Sequence, residues 1–206
     1  MGSGINNYMM KLLIILISVI FLFPSQLGAV DRCNDFLVDS RAQHVRYFGY
    51  GYPWWYGVGQ LKQESCCRAR VTAFDAGMGV AQFMPATAKE VKKLMGDYSL
   101  DPYNPEHAIK MQAFYMARLH KQNWDGGLWL TYQAYNGGWG NLKKEYARSG
   151  SLKYEDMKAA CKRGGVQFKW GYLSFCEVNY DYSIKIFNYG RVYKGGGIQS
   201  GNWRYW

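Results

Sequence analysis

Residues 64–88 read Glu-Ser-Cys-Cys-Arg-Ala-Arg-Val-Thr-Ala-Phe-Asp-Ala-Gly-Met-Gly-Val-Ala-Gln-Phe-Met-Pro-Ala-Thr-Ala, and this stretch decides the fold. It opens on an acid at the end of an apolar segment. Trp54, Trp55, Tyr56, Val58 and Leu61 precede Glu64; on a helix ending near Cys66, Leu61 and Glu64 share a face. A glutamate on the same stripe as a core leucine loses water, which raises its pKa and favours the neutral acid. The competing reading is a surface glutamate paired with Lys62, Arg68 or Arg70. Further along, Gly79 lets the backbone pass close to a neighbour where a Cβ would collide. Gln82 offers both a donor and an acceptor, and Met84 with Pro85 forms an apolar wall. Thr87 and Glu90 have capping-box spacing, Val91 and Leu94 give an apolar edge, and Gly96 is a stop, which predicts a short helix over 87–95.

Outward from this stretch the pattern stays helical. Asn104 reads as an N-cap with Pro105 in the first helical position and Glu106 in the first turn, followed by Ala108, Met111, Gln112, Tyr115 and Leu119 on one face. Leu128 to Tyr135 reads as another helix, ended by Gly137 and Gly138. After Cys176, the residues Val178, Tyr180, Tyr182, Ile184, Ile186 and Phe187 suit a core helix, although alternation over 178–184 fits a strand equally. The chain has 206 residues, is 49% hydrophobic and has no Pro- or Ser-rich linker in its middle. That is enough for one sizeable core, hence a single compact unit.

Four segments stand in order: Glu64-Ser65; Gly79 and Gln82 with Met84-Pro85-Ala86-Thr87-Ala88; Ala134-Tyr135-Asn136-Gly137-Gly138; and Glu177-Val178-Asn179-Tyr180. In these the chain resembles the soluble lytic transglycosylase (SLT) family, goose-lysozyme-like enzymes that cut peptidoglycan. Its members typically read Glu-Ser, Gly-x-x-Gln-x-Met-Pro-x-Thr-Ala, Ala-Tyr-Asn-Ala-Gly and Glu-Thr-Arg-x-Tyr. Four matches in order are far more specific than one short motif. The resemblance runs from about Gln60 to Tyr193. It implies a mainly α, lysozyme-like helical domain with a substrate groove, and it favours helix over strand after Cys176. It also implies Glu64 as the catalytic acid, with Gln82, Met84, Tyr135, Asn136, Glu177 and Tyr180 as substrate-binding residues. Tyr135 can reach the carboxyl or a substrate oxygen, and Asn136 can meet an N-acetyl group or a neighbouring backbone. Glu177 holds the groove together or meets the substrate peptide, with a buried structural glutamate as the competing reading.

Ordinary glycoside hydrolysis uses two flanking carboxylates. Near Glu64 the sequence offers Asp75 as a second acid. The resemblance implies a route that needs one. Glu64 protonates the oxygen between N-acetylmuramic acid and N-acetylglucosamine, then as carboxylate takes a proton from the muramyl 6-hydroxyl, which closes a 1,6-anhydro ring. Intramolecular attack has an effective molarity on the order of 10⁵ M or more, so no water-activating base is required. Two alternatives stay open: a lysozyme-type hydrolase with Asp75 positioning a water, and a non-catalytic envelope protein that binds glycan. The chain also departs from the family pattern. Ala73, beside Thr72, stands where a serine is common, so a hydrogen bond from that serine to the carboxylate is lost or supplied by Thr72. Val178-Asn179 replace Thr-Arg, and Cys66-Cys67 follow Ser65.

The ends read differently. Lys11, the 12-residue apolar run Leu12 to Phe23, and Ser25-Gln26-Leu27-Gly28-Ala29 have the form of a secretory signal over 1–29. A spanning helix needs roughly 20 apolar residues, so an uncleaved anchor is the weaker reading and no stable membrane span is expected after cleavage. The remaining chain divides into an N-terminal segment 30–58, a catalytic domain 59–193 and a tail 194–206 that is rich in Gly195, Gly196 and Gly197 and ends with Trp203, Tyr205 and Trp206. Losing Lys11 takes the formal charge from +10 to +9. A basic exported protein is drawn to the carboxylates of peptidoglycan by a salt-screened attraction. The expected location is the periplasm or cell envelope. The expected partners are glycan strands and a secretion, conjugation or phage-lysis apparatus; nucleic acid is disfavoured by export and the lack of a recognisable motif. Five cysteines suit an oxidising compartment. Cys161 and Cys176 bracket a Gly-containing stretch and read as a disulfide, and Cys33 can tie to Cys66 or Cys67. There is no Cys-x-x-Cys, and His44, His107 and His120 are scattered, so neither a metal nor a cofactor is expected.

Overall fold

The structure is a computed structural model and describes residues 31–124, 127–169 and 171–195. Residues 1–29, read above as a secretory signal, and the tail beyond Gly195 lie outside the described residues. What is described is mainly α. Eight α-helices run in order: α1 (Leu37–Phe48), α2 (Trp55–Ser65), α3 (Pro85–Met95), α4 (Pro105–His120), α5 (Leu128–Gly137), α6 (Trp139–Ser149), α7 (Tyr154–Ala159) and α8 (Phe175–Gly190). One antiparallel hairpin, β1 (Gly165–Phe168) with β2 (Gly171–Ser174), separates α7 from α8. Among the described residues no helix is long and apolar enough to cross a membrane.

The core is organised around α5. Leu128, Trp129, Leu130, Thr131, Tyr132, Gln133 and Ala134 are all buried, the mark of a helix enclosed on every side. Against it pack α4 and α8. α8 also lies along α2, and there the backbones meet. A Cβ on Gly59 would lie 2.5 Å from the Ile186 carbonyl oxygen and 2.6 Å from the Gly190 nitrogen, while one on Gly190 would lie 2.5 Å from the Tyr56 ring. Only hydrogen fits at either place.

Helix ends follow local chemistry. Asn104 caps α4, its side chain accepting from the Glu106 and His107 N–H groups. α2 stops at Cys66 and α3 at Gly96, both left-handed. α3 begins at Pro85, two residues before the start predicted from Thr87, and its N-cap is Met84 with no side-chain bond. Proline in the first turn has the right φ and no N–H to satisfy, so it starts the helix before a capping box can.

One boundary is corrected. The division placed between 58 and 59 falls inside α2, where Trp55, Tyr56, Val58 and Leu61 are buried together. Residues 30–58 also contribute α1, which packs on α4, and Cys33 is bonded to Cys67. They are part of the same core. The segment over 178–184 is helix, within α8. The second disulfide joins Cys161 to Cys176 and encloses the hairpin, which the sequence showed only as a loop; Cys66 is free and exposed.

Candidate active site

Glu64 sits in the last turn of α2, and the segment after that helix folds back over it. Ser65 makes the fold-back: its hydroxyl donates to the Val80 carbonyl at 2.8 Å and accepts from the Arg68 N–H at 3.1 Å. Met78 bridges both Thr72 and Phe83, giving the segment 72–83 a defined shape. Gly79 has φ +68° with the Pro102 carbonyl directly where a Cβ would be, so glycine is required. Gln82 has φ +51°, and its Nε2 donates to the Gly79 carbonyl at 2.7 Å. The result is a cavity of about 230 Å³ lined by Glu64 with Ala73, Asp75, Gln82, Met84, Tyr135 and Asn136 among others.

Inside this cavity the acid is unlike an ordinary glutamate. Burial pushes the Glu64 pKa up to about 8, a hydrogen bond from Tyr182 pulls it partly back, and the charge of Asp75 raises it again. Among the described residues no cation is paired with it. Lys62 instead donates to the Tyr193 hydroxyl at 3.0 Å, and the Arg68 Nε donates to the Ser65 carbonyl at 2.9 Å. The surface ion-pair reading therefore does not hold.

Tyr182 was not singled out by the sequence, yet its hydroxyl donates to Glu64 Oε1. The same hydroxyl accepts from Gln60 Nε2 at 3.1 Å, and Gln60 Oε1 accepts from Gln112 Nε2 at 2.8 Å. A buried amide relay thus runs from α4 through α2 and α8 to the acid. Burial and the nearby Glu64 charge keep the Tyr182 phenol well above its usual pKa, so it remains a donor.

Other expected roles change. The Tyr135 hydroxyl donates to the Ala81 carbonyl at 2.8 Å, fixing the overlying segment; it does not bond the Glu64 carboxyl. Asn136 lines the cavity, and its Nδ2 donates to Asn179 Oδ1 at 2.8 Å. Thr72 does not supply the missing hydroxyl, because its Oγ1 pairs with the Tyr103 hydroxyl at 2.8 Å while Ala73 lines the cavity. Tyr180 is fully buried and donates to Glu145 Oε2 at 2.8 Å, so it is a core residue and cannot meet substrate. Glu177 is exposed in the first turn of α8 and does not line the Glu64 cavity. The tyrosine that reaches the acid lies two residues beyond Tyr180.

The residues that line the Glu64 cavity fall within a segment that matches a known family. Residues 60–158 match the family model described as the transglycosylase SLT domain. The match takes in 99 of the chain's 206 residues, just under half. Its fold is similar to that of the 70-kDa soluble lytic transglycosylase of Escherichia coli, with a TM-score of 0.60 and 18% identity over 80% of this chain and 27% of that one. It is also similar to an inactive mutant of the lytic transglycosylase Slt of Pseudomonas aeruginosa, with a TM-score of 0.56 and 22% identity over 74% of this chain and 23% of that one. A complex of the 70-kDa enzyme with bulgecin A gives a TM-score of 0.58 at 19% identity, over 80% and 27% of the two chains. The chain spans about a quarter of the length of these structures. No curated protein matches it. The SLT match begins at Gln60 and so takes in Glu64, Gln82 and Asn136, whereas Tyr182 lies beyond its end.

Proposed function

We propose that this chain is a peptidoglycan lytic transglycosylase. It cleaves the β-1,4 bond between N-acetylmuramic acid and N-acetylglucosamine without consuming water, with Glu64 as acid and then base. The observation that carries the reading is a glutamate with no cation paired to it among the described residues, its pKa pushed up to about 8 by burial, in a cavity whose lining falls within the segment matching the SLT domain. A carboxyl that is neutral near physiological pH can donate its proton there.

Tyr182 occupies Oε1, which leaves Oε2 to carry the proton. As the bond from muramyl C1 to the bridging oxygen breaks, that proton moves to the oxygen and frees the 4-hydroxyl of N-acetylglucosamine. Glu64 is then a desolvated carboxylate, which is a stronger base than one in water. It takes the proton of the muramyl 6-hydroxyl while that oxygen bonds to C1. The acid returns to its starting form, and the two products together contain the atoms of the substrate. Gln82 Oε1 and the carbonyl of Asn136 suit donors on the sugar, and Met84 supplies an apolar edge.

One observation favours a second reading. Asp75 lines the same cavity and its charge acts on Glu64, the placement that a water-positioning carboxylate in a lysozyme-type hydrolase would need. Mass analysis of muropeptides released by wild type and Glu64→Gln separates the readings. Anhydromuramyl ends from wild type and none from the variant are expected. Ends heavier by one water would overturn transglycosylation in favour of hydrolysis, and no release by wild type would leave a glycan-binding protein. Export through residues 1–29 to the periplasm or envelope, with glycan strands as partner and a secretion, conjugation or phage-lysis apparatus as the setting, belongs to the same proposal.

A further inference from the structure

The relay behind Glu64 has a direction, and that direction starts at Gln112 on α4. Gln112 and Gln60 are fully buried, and neither lines the Glu64 cavity. Gln112 Nε2 donates to the Gly57 carbonyl at 3.2 Å and to Gln60 Oε1 at 2.8 Å, which uses both of its hydrogens. Turning this amide over would set its oxygen against two acceptors, so the Gly57 carbonyl fixes which way Gln112 faces. Gln112 in turn fixes Gln60. With its oxygen engaged there, Gln60 presents Nε2 to the Tyr182 hydroxyl, which accepts at 3.1 Å. A phenol has one hydrogen to give. Because its oxygen already receives a bond from Gln60, Tyr182 directs that hydrogen to Glu64 Oε1.

The arrangement carries a cost that points to its use. Gln112 Oε1 is buried with no hydrogen-bond partner. A bare buried acceptor is unfavourable, and apolar side chains of similar shape would fill the same space without it. What the amide adds is direction, since a backbone carbonyl has already chosen how its donor points. The titratable groups around the acid are Asp75 on the overlying segment, Tyr135 on α5 with Tyr115 of α4 behind it, and Tyr182 on α8. Lys62 of α2 is turned to Tyr193. On the far side, the His44 ring of α1 lies against Gly57, where a Cβ would be 2.2 Å from its Cε1, and burial pushes the His44 pKa down to about 4. It is neutral where Glu64 titrates and adds no charge at the anchor of the relay.

We infer that Gln112 is a remote positioning residue for Glu64, setting through Gln60 the direction in which Tyr182 gives its hydrogen bond. The inference rests on the reading of Glu64 as the acid. Gln112→Glu keeps the shape and reverses the relay. Burial holds the new carboxyl neutral, so its O–H donates to the Gly57 carbonyl while its other oxygen accepts from Gln60 Nε2. Gln60 Oε1 then faces Tyr182 and takes the hydrogen that Glu64 loses. Two readouts are followed against pH: the carboxyl-carbon NMR resonance of Glu64, assigned by its absence in Glu64→Gln, and the release of wall fragments. In Gln112→Glu the carboxyl titration and the basic limb of the rate should both move up by about one pH unit. Gln60→Met, although nearer the acid, should leave them nearly in place, because no reversed Gln60 can then compete for the hydrogen. Gln60→Met/Gln112→Glu should titrate like Gln60→Met. An unmoved titration in Gln112→Glu overturns the inference. So does a shift that persists in the double variant, which would be the charge of the new carboxyl acting directly. If Gln112→Glu does not fold, Gln112→Met frees Gln60 without adding a charge; it should raise the titration by a smaller amount and only while Gln60 is present, and no shift there overturns the inference. A carboxyl that titrates as expected in a protein that releases no fragments keeps the relay and fails the lytic reading.

Discussion

Replacing Tyr182 by Phe removes one oxygen atom from the relay and tests how Glu64 is tuned. The lost bond is from a phenol to a carboxylate, and hydrogen bonds to charged groups contribute about 1.5–3 kcal/mol. The neutral acid keeps part of that interaction, which leaves about 1.4 kcal/mol specifically favouring the carboxylate, or about one pH unit. Glu64 already titrates at about 8, with burial raising it and Tyr182 lowering it; without Tyr182 it should titrate about one pH unit higher. The basic limb of the pH–rate profile for wall-fragment release should move up accordingly. The plateau rate should fall roughly tenfold, because the carboxylate formed in mid-reaction loses its donor. Gln60 Nε2 also loses its acceptor, so stability should drop by about 1–3 kcal/mol, measurable by denaturant unfolding. A basic limb that stays in place, or moves to lower pH, refutes the claim that Tyr182 stabilises the charged form.

Three further outcomes are expected. Glu64→Gln should abolish fragment release and also change how stability depends on pH. The unfolded chain gives up the Glu64 proton near 4.5, whereas the folded protein keeps it to about 8, so wild type loses stability as pH rises through that window. The variant's advantage should grow from near zero at pH 4 to on the order of 2–4 kcal/mol at pH 8, and parallel unfolding curves at the two pH values would contradict the burial of this acid. Gly79→Ala forces a Cβ at φ +68° against the Pro102 carbonyl; it should cost about 2 kcal/mol or more and lower activity along with the melting temperature, and an unchanged melting temperature would sink that reading. Removing the bridge between Cys161 and Cys176, whose sequence separation is 15, should cost about 3 kcal/mol in guanidinium unfolding, with reductant having the same effect on wild type. A variant as stable as the oxidised protein would show that the hairpin is held by packing alone.

What the sequence made legible was whatever depends on neighbours along the chain. Asn104 before Pro105 marks its helix because cap and ring act within one turn. Leu61 three residues before Glu64 predicts a desolvated acid because both ride on one helix. The contacts that arm the acid are of another kind. Tyr182 lies 118 residues from Glu64, and nothing in its local pattern sets it apart from Tyr180, which points into the core. Which tyrosine of α8 faces the cavity depends on how that helix is rotated against α2, and that is decided by packing. The same rotation leaves Glu177 exposed, outside the lining of the Glu64 cavity. The hairpin was missed because four-residue strands closed by a disulfide need little periodicity to form.

The close passage of α2 and α8 at Gly59 and Gly190 gives the acidity of Glu64 a mechanical origin. These glycines do not line the Glu64 cavity, lying five residues before the acid and eight after its tyrosine. The thickness of the joint between the helices sets the gap between carboxyl and phenol, as a shim sets the gap between two jaws. A methyl group at either glycine would widen that gap from a distance. The pH at which Glu64 gives up its proton is therefore open to adjustment by selection at positions outside its cavity.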